Sequence, residues 1–288
     1  MRVIEESRTS RAAIWCQRFA IFLIPYFAVV VLLYRFAKME TMQLFVMIAI
    51  GLIIAVVALI LGIRAIGELW SKGYRGGSYA ARGLFIAILV LLPFVYQGIL
   101  AAQYPLANDV STNPFDPPSY LSADIKRQQL AEDGMNLVIT YSDDYAQKIV
   151  TAYPQLQPRR YPASPERVYE AISAIIQEND WPVTGTSGVP ELPQSNGDSS
   201  QETETSTEAL EDNEALLDDI EVEFLQRTPF FGFENDVVVR IMSEDQNTLV
   251  DMRVSSRWGK HDFGYNAGFI EKFLGQLDTA LLGIAGEG

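Results

Sequence analysis

One cysteine and one histidine in 288 residues exclude much chemistry from this chain. Zinc and haem sites need clustered His, Cys or carboxylate ligands at defined spacing, so no metal and no cofactor is expected. Cys16 stands at the edge of an apolar run, which leaves everything after it without a thiol and without disulfides. No glycine-rich phosphate loop is present, because Gly73, Gly76 and Gly77 lie in a short basic connection. Acidic residues are missing from three long apolar runs, 19–33, 44–63 and 84–102, and no ionisable residue falls in the middle of any of them. Ion and proton pathways depend on such groups, which speaks against a transporter or pump. Basic and aromatic residues are missing from 187–219, which holds ten Asp/Glu. That composition cannot bury enough apolar surface to offset its ordering entropy and reads as a disordered acidic insert.

What is present divides by charge. Residues 1–102 carry ten Lys/Arg against four Asp/Glu, a net of +6, whereas residues 103–288 carry −20 of the chain's total of −14. The three apolar runs, extended at their ends by Trp15, Tyr34 and Tyr104, reach the roughly 20 residues needed to cross a bilayer core of about 30 Å. Arg2, Arg8, Arg11 and Arg18 precede the first run, and Arg64, Lys72, Arg75 and Arg82 lie between the second and third. Only Arg35 and Lys38 lie between the first and second. Positive connections stay cytoplasmic, so the amino terminus is expected inside and everything after Tyr104 outside. The first run ends in Tyr34-Arg35-Phe36, without a small-x-small cleavage site, and reads as an uncleaved signal anchor. Gly51/Ala55 and Ala58/Gly62 recur four apart, a spacing that suits packing of the three helices on one another or contact with another subunit.

The predicted organisation is a three-helix transmembrane region over 1–104, a Pro-rich extended tether over 105–134, and an α+β domain over 135–288. Ser142 and Ser164-Pro165-Glu166 are helix starts, each with a capping hydroxyl and acids in the first turn. Residues 220–224, 236–242 and 249–257 alternate apolar and polar side chains, as an antiparallel sheet with one face on a core requires. A last helix from about Asn266 carries Phe269, Ile270, Phe273, Leu274, Leu277 and Leu281 as its apolar stripe. The fold class is therefore a helical membrane anchor plus a two-layer α+β domain with a long C-terminal helix.

The densest polar cluster runs from Asp251 to Asn266. Period-two geometry puts Asp251, Arg253, Ser255 and Arg257 on one sheet face, with Arg240 joining from the neighbouring strand. Three guanidiniums beside one carboxylate suit a phosphate or carboxylate ligand. The same residues also suit a ladder of cross-strand salt bridges, because Asp236, Asp251, Glu221 and Glu223 can balance the arginines. Ser255 or Ser256 with His261 and Asp262 supplies the residue types of a nucleophilic triad, without the strained turn that would mark one. Asp262 and Asn266 suit the turn and cap at the start of the last helix.

Several ordered pieces carry a resemblance: Asp109-Val110-Ser111-Thr112 with Asp116-Pro117-Pro118, Tyr153-Pro154, Phe231-Gly232-Phe233 through Arg240, and Val250-Asp251 to Asn266. Through them the chain resembles the domain-of-unknown-function 1499 family over roughly 105–160, 162–184 and 220–282, nearly all of the outer domain. That resemblance implies a domain type and no reaction. The family usually has a small or polar residue where His261 stands, which argues against a catalytic role for it. It usually has an arginine soon after the asparagine at 266, where this chain has Ala267-Gly268. The acidic insert is peculiar to this chain.

The composite expectation is a multi-pass protein of a bacterial inner membrane, with its bilayer as first partner and a non-enzymatic periplasmic domain. That domain would bind an envelope protein or an anionic lipid or glycan through Arg240, Asp251, Arg253, Ser255, Arg257, Asp262 and Asn266. The net negative charge excludes nucleic acid. The alternatives are a membrane-anchored hydrolase built on Ser255 or Ser256 with His261, and an accessory subunit docking through 51–62.

Overall fold

The computed structural model describes residues 8–37, 39–129, 134–189 and 219–282. It divides into two units, Met1–Tyr104 with Thr228–Gly232, and Pro105–Arg227 with Phe233–Gly288. Most of the predicted acidic insert, residues 190–218, lies outside the described residues.

The first unit contains three helices long and apolar enough to cross a membrane: α1 (Arg11–Phe36), α2 (Thr41–Lys72) and α3 (Gly77–Gln103). Ser10 caps α1, accepting from the Ala13 amide and donating to Glu68. α2 stops at Gly73, whose φ of 64° is the left-handed conformation that a glycine adopts without strain. At 32 residues α2 is about 48 Å long, more than a hydrocarbon core of about 30 Å, so its charged last turns outlast its apolar stretch. Backbone bonds between Ser10 and Arg75 and between Arg75 and Arg8 tie the connection after α2 to the amino-terminal segment.

Small residues close the bundle. Gly51, Ala55, Ala58, Gly62 and Ala65 are buried along α2, and Ala80, Gly83 and Ala87 along α3. A Cβ at Gly51 would stand 2.5 Å from the Phe27 ring, and one at Gly83 would stand 2.8 Å from the Gln17 backbone nitrogen. The 51–62 stripe is thus used inside the bundle and is not exposed for docking another subunit.

The second unit is α+β. Its elements are β1 (Asp109–Ser111), α4 (Ala123–Gln129), α5 (Asp143–Ala152), β2 (Arg159–Tyr161), α6 (Pro165–Glu178), β3 (Val183–Ser187), β4 (Ile220–Arg227), β5 (Glu234–Glu244), β6 (Asn247–Ser256) and α7 (Tyr265–Leu282). All pairings are antiparallel, in the order β1-β6-β5-β4-β3, with β2 also on β6. Both predicted caps form, with Ser142 accepting from the Tyr145 amide and Ser164 from the Arg167 amide. One sheet face presents Val222, Phe224, Val237, Val239, Ile241, Val250, Met252 and Val254 to Ile149, Ile172, Ile176, Ile270, Phe273 and Leu277 in a single core.

The opposite face departs from expectation. Residues 105–134, read as an extended tether, instead begin this unit, contributing strand β1 and helix α4. Tyr120, Ala123 and Val138 pack on Val238 from that side. The second face, expected to be wet, is therefore covered over its centre, and Asp236, Asp251, Arg253 and Arg257 are buried there.

Candidate functional site

The polar residues of β5 and β6 point into this covered layer because their apolar neighbours take the core face. At its centre Arg253 lies between two rings, with its guanidinium 5.0 Å from the centre of Tyr120 and 4.9 Å from that of Tyr141. It donates to both carboxylate oxygens of Asp109, at 2.9 Å each, and to the carbonyls of Pro118 and Ile139. Tyr141 donates to the same Asp109 carboxylate, and Tyr145 to the Asp109 carbonyl. One arginine on β6 thereby fixes β1 and the segments at Pro118 and Ile139.

A second node forms around Asp236. Arg257 donates to it at 2.6 and 2.9 Å, and Arg127 of α4 at 2.8 Å. Arg127 also reaches the hydroxyl and carbonyl of Ser255, and Arg257 reaches Glu234. Arg127 is fully buried, an arrangement sustained only where charge and donors are all matched. At a third node Arg240 bonds Asp251 at 2.7 and 3.2 Å and Asp116 at 2.8 Å. Glu223 completes the layer, accepting from the Leu121 and Ser122 amides ahead of α4 and from the Ser122 and Thr184 hydroxyls.

Asp262 and Asn266 form a separate cluster at the start of α7. The Asp262 carboxylate accepts from the Gly264 and Asn266 amides, which is the capping role expected of it. The Asn266 side chain donates to the Asn108 carbonyl and exchanges bonds with the Ser256 hydroxyl. This cluster secures residues 107–108, since Asp262 and Ser256 also donate their amides to the Ala107 and Asn108 carbonyls.

Burial governs the titration of this layer. It pushes the Tyr120 and Tyr141 hydroxyls well above the usual phenol range, with the Asp109 charge adding to the effect. It also raises the carboxyls of Asp251 and Asp262, against the hydrogen bonds that favour their charged forms. Arg253 and Arg257 lose hydration on burial, yet their carboxylate partners hold both firmly protonated.

The seven residues read as a ligand face are thus brought together only in part, and as partners rather than as an open site. Arg240, Asp251, Arg253, Ser255 and Arg257 are engaged with Asp109, Asp116, Arg127 and Asp236, while Asp262 and Asn266 cap α7. The face read as an open anion site is an ion-pair layer in which the segments 109–129 and 134–141 meet its charged side chains. The hydrolase reading fails on geometry. The Ser255 hydroxyl is held by Arg127 and that of Ser256 by Asn266, both buried, while His261 accepts at Nδ1 from the Phe263 amide and stacks on the Phe263 ring. A triad needs a reachable hydroxyl paired with its base, and neither serine provides one.

Asp109, Asp116, Arg127, Tyr120 and Tyr141 were not singled out as site residues from sequence. Each lies in a stretch without apolar period, and only the motif beginning at Asp109 marked the segment. No curated protein and no solved structure matches the chain. The family model described as "Protein of unknown function (DUF1499)" matches residues 109–277, from the aspartate that holds Arg253 to the apolar stripe of α7. With its framework of β1, β6 and α7 inside that match, and more than half of its length covered, the chain belongs to the DUF1499 family.

Proposed function

We propose that this protein is a non-enzymatic interaction module, held by three spans in a bacterial cytoplasmic membrane with its amino terminus inside and its DUF1499 domain outside. The observation that carries the reading is the closure of the arginine layer. An anionic lipid or glycan headgroup would have to displace Asp109, Asp236 and Asp251 from their arginines, leaving carboxylates buried without counterions. A groove of about 650 Å³ lies open between α6 and α7. Ala171, Ala174, Ile175 and Gly275 line it, and Arg167, Glu170, Glu178 and Lys272 carry both charge signs along it. An apolar floor with a mixed-charge rim suits a helix or extended segment of a partner protein better than an anion.

A photo-crosslinking residue at Ala174, in the full chain in its native membrane, should give a discrete protein adduct that Ala171→Glu abolishes. Absence of an adduct, or an adduct indifferent to Ala171→Glu, overturns the groove as the docking surface. Sidedness is checked with an alkaline phosphatase fusion after residue 288, which should be active, whereas one in the 73–77 connection should be silent.

A further inference from the structure

The loop joining β4 to β5 reads Thr228-Pro229-Phe230-Phe231-Gly232-Phe233, three phenylalanines and a proline in six residues without a charge. We infer that this hairpin tip is a lipid-contacting foot, which seats the domain on the bilayer that its own helices span. The inference does not depend on which side of the membrane the domain occupies.

Composition and exposure make the first case. Phe230 is 67% exposed and Pro229 is exposed beside it. The Phe230 and Phe231 rings meet edge to face at 4.9 Å, and a Thr228–Gly232 backbone bond closes the turn, so the apolar surface is presented by a formed structure. At the base of the tip Arg227 and Glu234 pair at 2.9 Å, which balances the charge of those two side chains. Phenylalanine, like tryptophan and leucine, is used on apolar faces that bury at the headgroup–acyl boundary.

Strand register makes the second case. Asp109 pairs with Ser255, Ser255 with Asp236, and Asp236 with Leu225. The start of β1, the end of β6, the start of β5 and the end of β4 therefore share one end of the sheet. Asp109 and Asp236 are two strand spacings apart across β6, about 10 Å. The chain reaches Asp109 six residues after α3 ends at Gln103, a reach of at most about 20 Å. The sheet end that carries the phenylalanines is thus the end leashed to a membrane span.

Charge makes the third case. At the other end of the sheet the β5–β6 turn reads Glu244-Asp245-Gln246-Asn247. The segment between β3 and β4 also leaves and returns at that end, since Ser187 pairs with Glu221. Its ten acids, with no basic residue, would be repelled by an anionic leaflet. The sheet therefore has an apolar end by its membrane leash and an acidic end away from it.

The test uses the full chain in phosphatidylethanolamine/phosphatidylglycerol liposomes. Cys16→Ala removes the native thiol, and an environment-sensitive fluorophore is attached at Phe230→Cys or, as the opposite-end control, at Asp245→Cys. Both positions are exposed, so the label does not enter the core. The label at 230 should be quenched several-fold more by doxyl-labelled lipid than the label at 245, and several-fold less by aqueous iodide. Equal iodide quenching at both positions overturns the inference. Shielding at 230 from iodide and doxyl lipid alike also overturns it, because the tip would then be seated in protein.

Discussion

The helix bundle and the outer domain each close an interface, and they do it with opposite chemistry. Between α1, α2 and α3 the contact is made of what side chains leave out: Gly51 admits the Phe27 ring, Gly62 the Leu84 side chain and Gly83 the backbone at Gln17, where a Cβ would collide. In lipid there is no hydrophobic gain from bringing two apolar helices together, so close packing must supply the attraction. Between the sheet and the segments 109–129 and 134–141 the contact is made of groups that are costly to bury, with Arg127, Arg253 and Arg257 each matched to carboxylates. Such a layer adds little net stability over a hydrophobic one, yet it penalises any misplacement of a partner heavily. The bundle interface resists added volume, and the ion-pair layer resists loss of a partner.

Removing a carboxylate should therefore have the largest effect. Asp236→Ala leaves Arg127 and Arg257 buried without their shared counterion and should destabilise the outer domain by about 3–5 kcal/mol. Denaturant unfolding followed by near-ultraviolet circular dichroism reads it, and a loss below about 1 kcal/mol would mean that water reaches the layer. Alkali comes next. Below about pH 10 Tyr120 and Tyr141 are neutral whether the domain is folded or not; above it only the unfolded chain releases their protons. Their raised folded values therefore contribute stability that is lost as the pH rises. The unfolding midpoint should fall between about pH 9 and about pH 11, with absorbance at 295 nm showing these phenols ionising only as the domain unfolds.

In the bundle, Gly83→Ala forces a methyl group toward the backbone of Gln17 and should cost about 1–3 kcal/mol in detergent unfolding. The comparison is sharpest at Gly98, on the same helix, where a Cβ meets nothing within 4 Å. Gly98→Ala should stay within about 0.5 kcal/mol of the parent. A larger destabilisation there would mean that another chain packs on that part of α3.

These differences also explain what could be read from sequence. The spans, the small-residue stripe, the capped helices α5 and α6, and the apolar faces of β4, β5 and β6 all repeat at a fixed local period. The partners of the arginines do not. Asp109 meets Arg253 across 144 residues, and Arg127 meets Ser255 across 128. β1 and β2 are three residues each, too short for alternation to register. The Pro-rich composition of 105–134 records neither helix α4 nor the pairing of β1. Whether a charged face is open or covered depends on where a distant segment comes to rest, which no local pattern records.

The place of β1 has a consequence for how the domain is made. It is the first strand to leave the ribosome, directly behind the last span, and its ladder partner β6 is among the last elements synthesised. Asp109 and Val110 must therefore remain unpaired near the membrane while more than a hundred further residues emerge. Folding of this domain cannot proceed segment by segment along the nascent chain; it waits for β6, as contacts of such sequence separation require. Release of the chain before β6 would leave an unpaired strand and an unmatched carboxylate at the membrane surface, a species that quality-control proteases would meet first.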